Sequence, residues 1–339
     1  MKILLVVIAL ACSFSGLTVT HGATTDPVGA MATSLLGGGK FNLLSKPFVR
    51  SAIFQGPVIS INGTDIELAD TSALTADYYL EVASGSLSGV MTKVVSYGSN
   101  IVTVADNLTP ELVAGDTVIL RETTTVNDLF GADNAFGFKS SPNGDLDVDR
   151  PDLIYVLNPE TGIVKTLFFS TFPDFVGWYD VFDFTEAGDT LLYPDHGLAI
   201  LVRGPDVEVT LSGTVKKGDF TASVFEGFNI MSLMNPVSSA DSDNAVTLGN
   251  SGLYTGDGST GVVASPDGSL DSADLVYVLD ESTGVISRYF YSTFPGNVGW
   301  YNVFDFQSAD DVLLKSGDAF YILRSPGNGG FSWVSTFNF

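Results

Sequence analysis

Between residues 143 and 149 the chain reads Asn143-Gly144-Asp145-Leu146-Asp147-Val148-Asp149, with oxygen-bearing side chains at every second position. Hard oxygen ligands crowded in this way repel one another unless a cation or water screens them, so the loop is a candidate calcium site. A later stretch repeats the pattern in part through Asp267, Ser269, Asp271 and Asp274. No glutamate follows at the twelfth position, so the spacing is not that of an EF-hand. Asn-Gly and Asp-Gly are also ordinary turn formers. Calcium and a plain solvated loop both stand as readings.

Other chemistry is poorly supplied. The histidines are His21 and His196, and no Gly-x-Ser-x-Gly elbow accompanies them, so a serine triad lacks its parts. Cys12 is the single cysteine, which removes the usual His/Cys zinc sites. Paired carboxylates of the glycosidase kind stay open with 39 acids present, because their spatial separation is not written in a sequence. A net charge of −24 repels phosphate backbones, so nucleic acid is excluded as a partner. The expectation is a protein that is not an enzyme.

Aromatic residues carry the strongest pattern. FSTFPDFVGWYDVFDF at 169–184 returns as YSTFPGNVGWYNVFDF at 291–306, with 12 of 16 positions the same. Trp178, Tyr179, Trp300 and Tyr301 are either equivalent core plugs or candidate platforms for sugar rings.

These residues need a scaffold, and its pattern is β. Apolar residues recur at period two or in runs of four to seven between Gly, Pro, Asn and Asp, as in Leu153-Ile154-Tyr155-Val156-Leu157 and Leu198-Ala199-Ile200-Leu201-Val202. The repeat extends outward from the aromatic passage. SPNGDLDVDRPDLIYVLNPETG at 141–162 matches SPDGSLDSADLVYVLDESTG at 265–284, and Phe41-Asn42-Leu43-Leu44-Ser45 echoes Phe228-Asn229-Ile230-Met231-Ser232. Residues 55–124 have no second copy and read as short strands between glycine turns, the signature of a small barrel standing off the main body. The expected fold is all-β: two tandem β-sandwich repeats, 23–54 with 125–212 and 213–339, with a small β-barrel at 55–124 inserted in the first.

The ends bear on location and assembly. Residues 1–22 place Lys2 before an apolar stretch and small polar residues, as a secretory signal peptide does, with lipidation of Cys12 as the competing reading. No later run is long and apolar enough for a transmembrane helix. Val28, Met31, Leu35 and Leu36 lie in a small-residue apolar arm before three glycines, and Phe331, Trp333, Phe337 and Phe339 fall on one face of a final strand. Both are candidate assembly strands, by exchange or by addition to an open sheet edge. Asn62-Gly63-Thr64 and Asn107-Leu108-Thr109 fit the N-glycosylation pattern.

On the segments Ala23-Thr24-Thr25-Asp26-Pro27-Val28-Gly29, Asp152-Leu153-Ile154-Tyr155-Val156-Leu157, Asp274-Leu275-Val276-Tyr277-Val278-Leu279, Gly177-Trp178 and Gly299-Trp300, the chain resembles an uncharacterised family of secreted proteins from Verrucomicrobia-like environmental bacteria. The Phe-Asn-Leu and Phe-Asn-Ile segments also look like Trp-Asn-Leu-Gly-Asn-Pro pieces of Bacteroidetes surface proteins. The resemblance implies export and β structure and assigns no catalytic residue. The functional expectation is an extracellular or cell-surface structural subunit that polymerises with itself. The alternative is a module binding surface glycans through exposed aromatics.

Overall fold

The computed structural model describes residues 27–159, 161–236, 238–239, 244–280 and 283–336. The signal segment 1–22, Cys12, Phe337 and Phe339 lie outside them.

The chain starts with β1 (Val28–Leu35), β2 (Lys40–Leu44) and β3 (Phe48–Val49). The insertion follows as β4 (Ala52–Pro57), β5 (Ser60–Asn62), β6 (Asp65–Glu67), β7 (Tyr78–Val82), β8 (Met91–Gly98), β9 (Ile101–Val104) and β10 (Thr117–Glu122). Two one-turn helices, α1 (Val126–Phe130) and α2 (Leu146–Asp149), precede β11 (Leu153–Asn158), β12 (Ile163–Phe172), β13 (Phe175–Asp180), β14 (Leu198–Val202) and β15 (Val207–Val215). The second unit comprises β16 (Phe220–Val224), β17 (Gly227–Met231), β18 (Val246–Thr247), β19 (Leu275–Asp280), β20 (Val285–Phe294), β21 (Asn297–Asn302), β22 (Leu313–Leu314), β23 (Phe320–Arg324) and β24 (Phe331–Ser335).

Each repeat is a two-layer sandwich, and the larger layers match strand for strand, while β3 adds a third strand to the facing layer of the first unit only. Five strands form one sheet in the order β13-β12-β11-β14-β2, and β21-β20-β19-β23-β17 repeat it. The facing layer pairs the first strand of each unit with its last, β1 with β15 and β16 with β24. Alternation sends every second side chain inward. Leu44, Ile154, Leu167, Trp178 and Ile200 thus meet Val207, Val209 and Leu211 across the first core, and Met231, Val276, Trp300 and Ile322 meet Phe220, Ala222 and Trp333 across the second.

The expectation of a free N-terminal arm is corrected. β1 is paired along its whole length, Val28 with Thr214 through to Leu35 with Val207, because its inward residues are part of the first core. Leu36 donates its amide to Asn42 Oδ1, and Gly38 and Gly39 donate theirs to Gly204 and Val202. Phe331 and Trp333 are likewise core residues of β24, opposite Val224 and Ala222.

In the insertion the sheet order is β4-β10-β7-β8-β9-β6-β5. Its outermost strands, β4 and β5, are consecutive stretches of one segment, so the sheet curls round on itself over a core of Val58, Ile66, Leu80, Val102 and Val118. This barrel does not stand off the sandwiches. Glu81 of β7 is buried between Arg121 of β10 and Lys216 of the link between the two units, 2.7 Å from each. Thr221 of β16 also donates its amide to Gly89 of the barrel. A carboxylate in this setting must be shared between cations to offset its lost hydration.

The two sandwiches meet through a reciprocal contact. Leu43 and Ile230, which point outward on β2 and β17, pack with Ala199, Leu279, Ala319 and Tyr321. Ala319 donates its amide to Leu43 and Gly197 to Ile230; Ser45 donates to Gly317 and Ser232 to Asp195. The repeat makes the two members of each set counterparts, and the counterpart hydroxyls of Ser45 and Ser232 touch at 2.7 Å. A contact in which i meets j while j meets i has two-fold symmetry. Close approach requires Gly197, since a Cβ there would stand 2.4 Å from that of Ala319.

Arg324 is fully buried in the second unit, with all its donors occupied by Asp274 Oδ2 and the carbonyls of Gly258, Gly261, Asn328 and Gly329. Asp274→Ala strands that charge, and the expected loss is roughly 3–5 kcal/mol in urea unfolding. A loss below about 1 kcal/mol would show that the pair does not hold the unit together.

Candidate functional site

The tryptophans are core plugs in both copies, which corrects the glycan-platform expectation for them. Trp178 and Trp300 are almost fully buried. The Thr125 cap starts α1, whose Phe130 packs on the Trp178 ring at 5.9 Å, and the indole N–H donates to Gly131 O at 2.9 Å. Trp300 sits edge-on to Tyr291 at 5.5 Å. Tyr179 is buried too, and Tyr301 is half-buried beside Phe290.

Of the loop carboxylates in the calcium reading, Asp145, Asp149, Asp267 and Asp274 have hydrogen-bond partners within the chain. Asp145 caps α2 by accepting from the amides of Asp147 and Val148. Asp149 accepts from the Ser141 hydroxyl at 2.6 Å and from Asn143 Nδ2 and N at 3.0 Å, and these donors, Ser141 first, hold its carboxyl below the usual range. In the second copy Asp267 accepts from the amide of Ser269, the amide of Asp271 is bonded to the Ser269 hydroxyl, and Asp274 is taken by Arg324. Among the described residues no three His, Cys, Asp or Glu side chains converge as metal ligands. Asn62, the last residue of β5, and Asn107, in the loop after β9, are both exposed.

Two other arrangements emerge. The first is an exposed aromatic turn after β13 and β21. Phe182 donates its amide to Asp180 Oδ1 and Phe304 donates to Asn302 Oδ1, both at 2.8 Å. Phe184 and Phe306 close the turns at positive φ, 57° and 55°, and lie edge-on to Phe168 and Phe290 at 5.8 and 6.0 Å. Left-handed backbone disfavours a bulky residue, so both copies keep phenylalanine against a conformational cost. The tips of the β12–β13 and β20–β21 hairpins add Phe172, Val176, Phe294 and Val298, all exposed.

The second arrangement lies where the barrel meets the sandwiches. Lys46 follows β2 and is buried; its amine donates to Tyr193 O at 2.6 Å. Burial pushes the Lys46 pKa down to about 7, with Asp195 acting the other way. Asp195 is itself held below the usual carboxylate range: burial opposes this, but His196 and hydrogen bonds outweigh it. His196 is buried with Nδ1 2.9 Å from Asp195 Oδ1, off the line of a hydrogen bond, while Nε2 has no partner. Clefts of about 330 and 560 Å³ flank this junction, and Tyr79, Met91 and Pro194 line both.

Sequence reasoning passed over Lys46 and the exposed phenylalanines. The signal for Lys46 was a lysine inside the apolar run Leu43-Leu44-Ser45-Lys46-Pro47-Phe48. For the phenylalanines it was the tail Val-Phe-Asp-Phe, which leaves the alternation that the preceding strand keeps.

Comparison of the chain with protein-family models, with curated proteins and with solved structures finds no match. No helix among the described residues is long and apolar enough to cross a membrane.

Lys46 ties stability to pH. Between about pH 7 and 10.5 the unfolded chain binds a proton that the folded chain does not, so unfolding free energy should rise with pH across that window. The penalty is complete below about pH 7 and amounts to at most roughly 5 kcal/mol. Lys46→Leu should therefore be more stable than the parent at pH 6, with the gap closing as pH rises to about 10.5. Parallel stability–pH curves for the two proteins would refute this.

Proposed function

We propose that this chain is an exported, non-catalytic structural subunit of an extracellular filament or cell-surface assembly, joined through exposed sheet edges and aromatic turns. One observation carries the reading: the two units keep the same large apolar residues half or more exposed, although Phe184 and Phe306 rest edge-on against Phe168 and Phe290 and Phe304 lies under the Arg288 guanidinium at 4.5 Å. Phe182 and Phe304 are 78% and 66% exposed, Phe184 and Phe306 50% and 57%, Val176 and Val298 62% and 61%. A residue buried in both copies is explained by its core; a phenylalanine that keeps most of its surface in water in both copies, beyond what these contacts cover, favours contact with a partner.

Edge geometry supports the same reading. β13 and β21 end their sheets; the following loop takes the outer groups of Trp178, Asp180, Trp300 and Asn302, through Ala187, Thr185, Ala309, Asp310 and Gln307, so the open stretch of each edge lies toward the hairpin tip, at Val176 and Val298. Such an edge can accept a strand from another molecule. With β1 and β24 paired inside their own units, addition at these edges is favoured over exchange of the termini. The apolar leader and the resemblance to secreted bacterial proteins favour export.

The test is light scattering and electron microscopy of the purified chain without residues 1–22, against Phe182→Ser/Phe304→Ser. The parent should form concentration-dependent oligomers or fibres, and the double variant should lose them with its melting temperature changed by no more than a few degrees. A parent that stays monomeric at millimolar concentration would sink the assembly reading. Glycan-array binding lost in the same variant would favour adhesion instead.

A further inference from the structure

Lys46 occupies a position that the second unit fills with a core leucine. Ser45 and Ser232 are counterparts, so the next residues, Lys46 and Leu233, are counterparts too. Leu233 is fully buried in the second core. The fold at this point is satisfied by an apolar side chain, and the first unit instead keeps a lysine and buries it to 7% exposure.

The buried Arg121, Lys216 and Arg324 each touch a carboxylate at close range. Arg121 and Lys216 lie 2.7 Å from Glu81, and Arg324 lies 2.6 Å from Asp274. Among the described residues no carboxylate reaches ion-pairing distance of Lys46, whose partner is the neutral carbonyl of Tyr193. The Asp195 carboxylate, beyond ion-pairing distance, favours the charged form, but burial outweighs it, and a buried ammonium with no contacting counter-ion gives up its proton more readily. The neutral amine that results has a lone pair and is a nucleophile, as desolvated lysines in carbonyl chemistry are.

Lys46 also has a place for a reactant. It lines the cleft of about 330 Å³ between the barrel and the first sandwich, as do Arg50, Ser51, Arg121, Glu122 and Asp128. Arg50 and Asp128 are paired to each other at 2.7 Å, and Arg121 to Glu81, so neither arginine's counter-charge is drawn from Lys46.

We propose that Lys46 is a covalent capture site for a small aldehyde, held in this cleft as an imine. The Nζ lone pair adds to the carbonyl carbon. The carbonyl oxygen then takes up two protons, from the nitrogen and from solvent, and leaves as water; loss of the remaining proton gives the neutral C=N bond. Electrons balance without an oxidant, and water reverses the capture.

The full chain without its first 22 residues is incubated with glycolaldehyde or with glyoxylate in the presence of cyanoborohydride, which reduces an imine to a stable secondary amine. Labelling at each lysine is then measured by peptide mass spectrometry. At pH 7 Lys46 should be modified at least about ten-fold faster than exposed Lys40, Lys165, Lys217 and Lys315, because a larger fraction of it is neutral. Its rate should level off above about pH 8. Lys46→Leu installs the residue the second unit already carries and should remove only the fast site. If Lys46 reacts with neither aldehyde, or no faster than the exposed lysines, the proposal is overturned.

Discussion

Two copies of one strand end, Leu43–Ser45 and Ile230–Ser232, meet across a local two-fold axis, and the other parts of the molecule are arranged around that meeting. Its requirements are strict in two respects. Backbone amides and carbonyls must pair reciprocally, because each would otherwise be buried without a partner. The outward surface of each sheet must also be small there, which Gly197, Ala199 and Ala319 provide. Larger aromatics, Phe41 and Phe228, stand exposed on the adjoining row of the same sheets.

Charge is distributed in keeping with this arrangement. The chain carries a large excess of acid, and several of its few cations are spent inside. Arg121 and Lys216 bracket Glu81 and fasten the barrel to the inter-unit link, while Arg324 closes the loops over the second core. A buried ion pair adds little net stability compared with apolar packing, but it is intolerant of alternatives. Here the Glu81 pairs join the barrel to the link between the units, while the Arg324 pair lies within the second unit.

Much of the fold was legible in the sequence. Alternation gave the strands, the internal repeat gave two equivalent sandwiches, and the glycine turns of 55–124 gave the barrel, because these signals are local or are self-comparisons. What failed were inferences about partners across space. The arm before Gly37-Gly38-Gly39 looked free, since nothing nearby in sequence reveals that β15, some 180 positions away, pairs with it. The partners of the aspartates at 145 and 149, a helix start and Ser141, are likewise not shown by their spacing. Lys46 needed a comparison that was available, its alignment with Leu233, but its significance rests on burial, which only the folded chain displays.

Pairing first strand with last gives both sandwiches a shared mechanical character. In β1–β15 and in β16–β24 the antiparallel register sets the point where the chain enters a unit beside the point where it leaves. Tension applied across those two points falls on one backbone bond at a time, starting at the rim, and is not spread over the whole ladder at once. Under stretch, each sandwich would peel open progressively, behaving as a yielding link and not as a stiff strut.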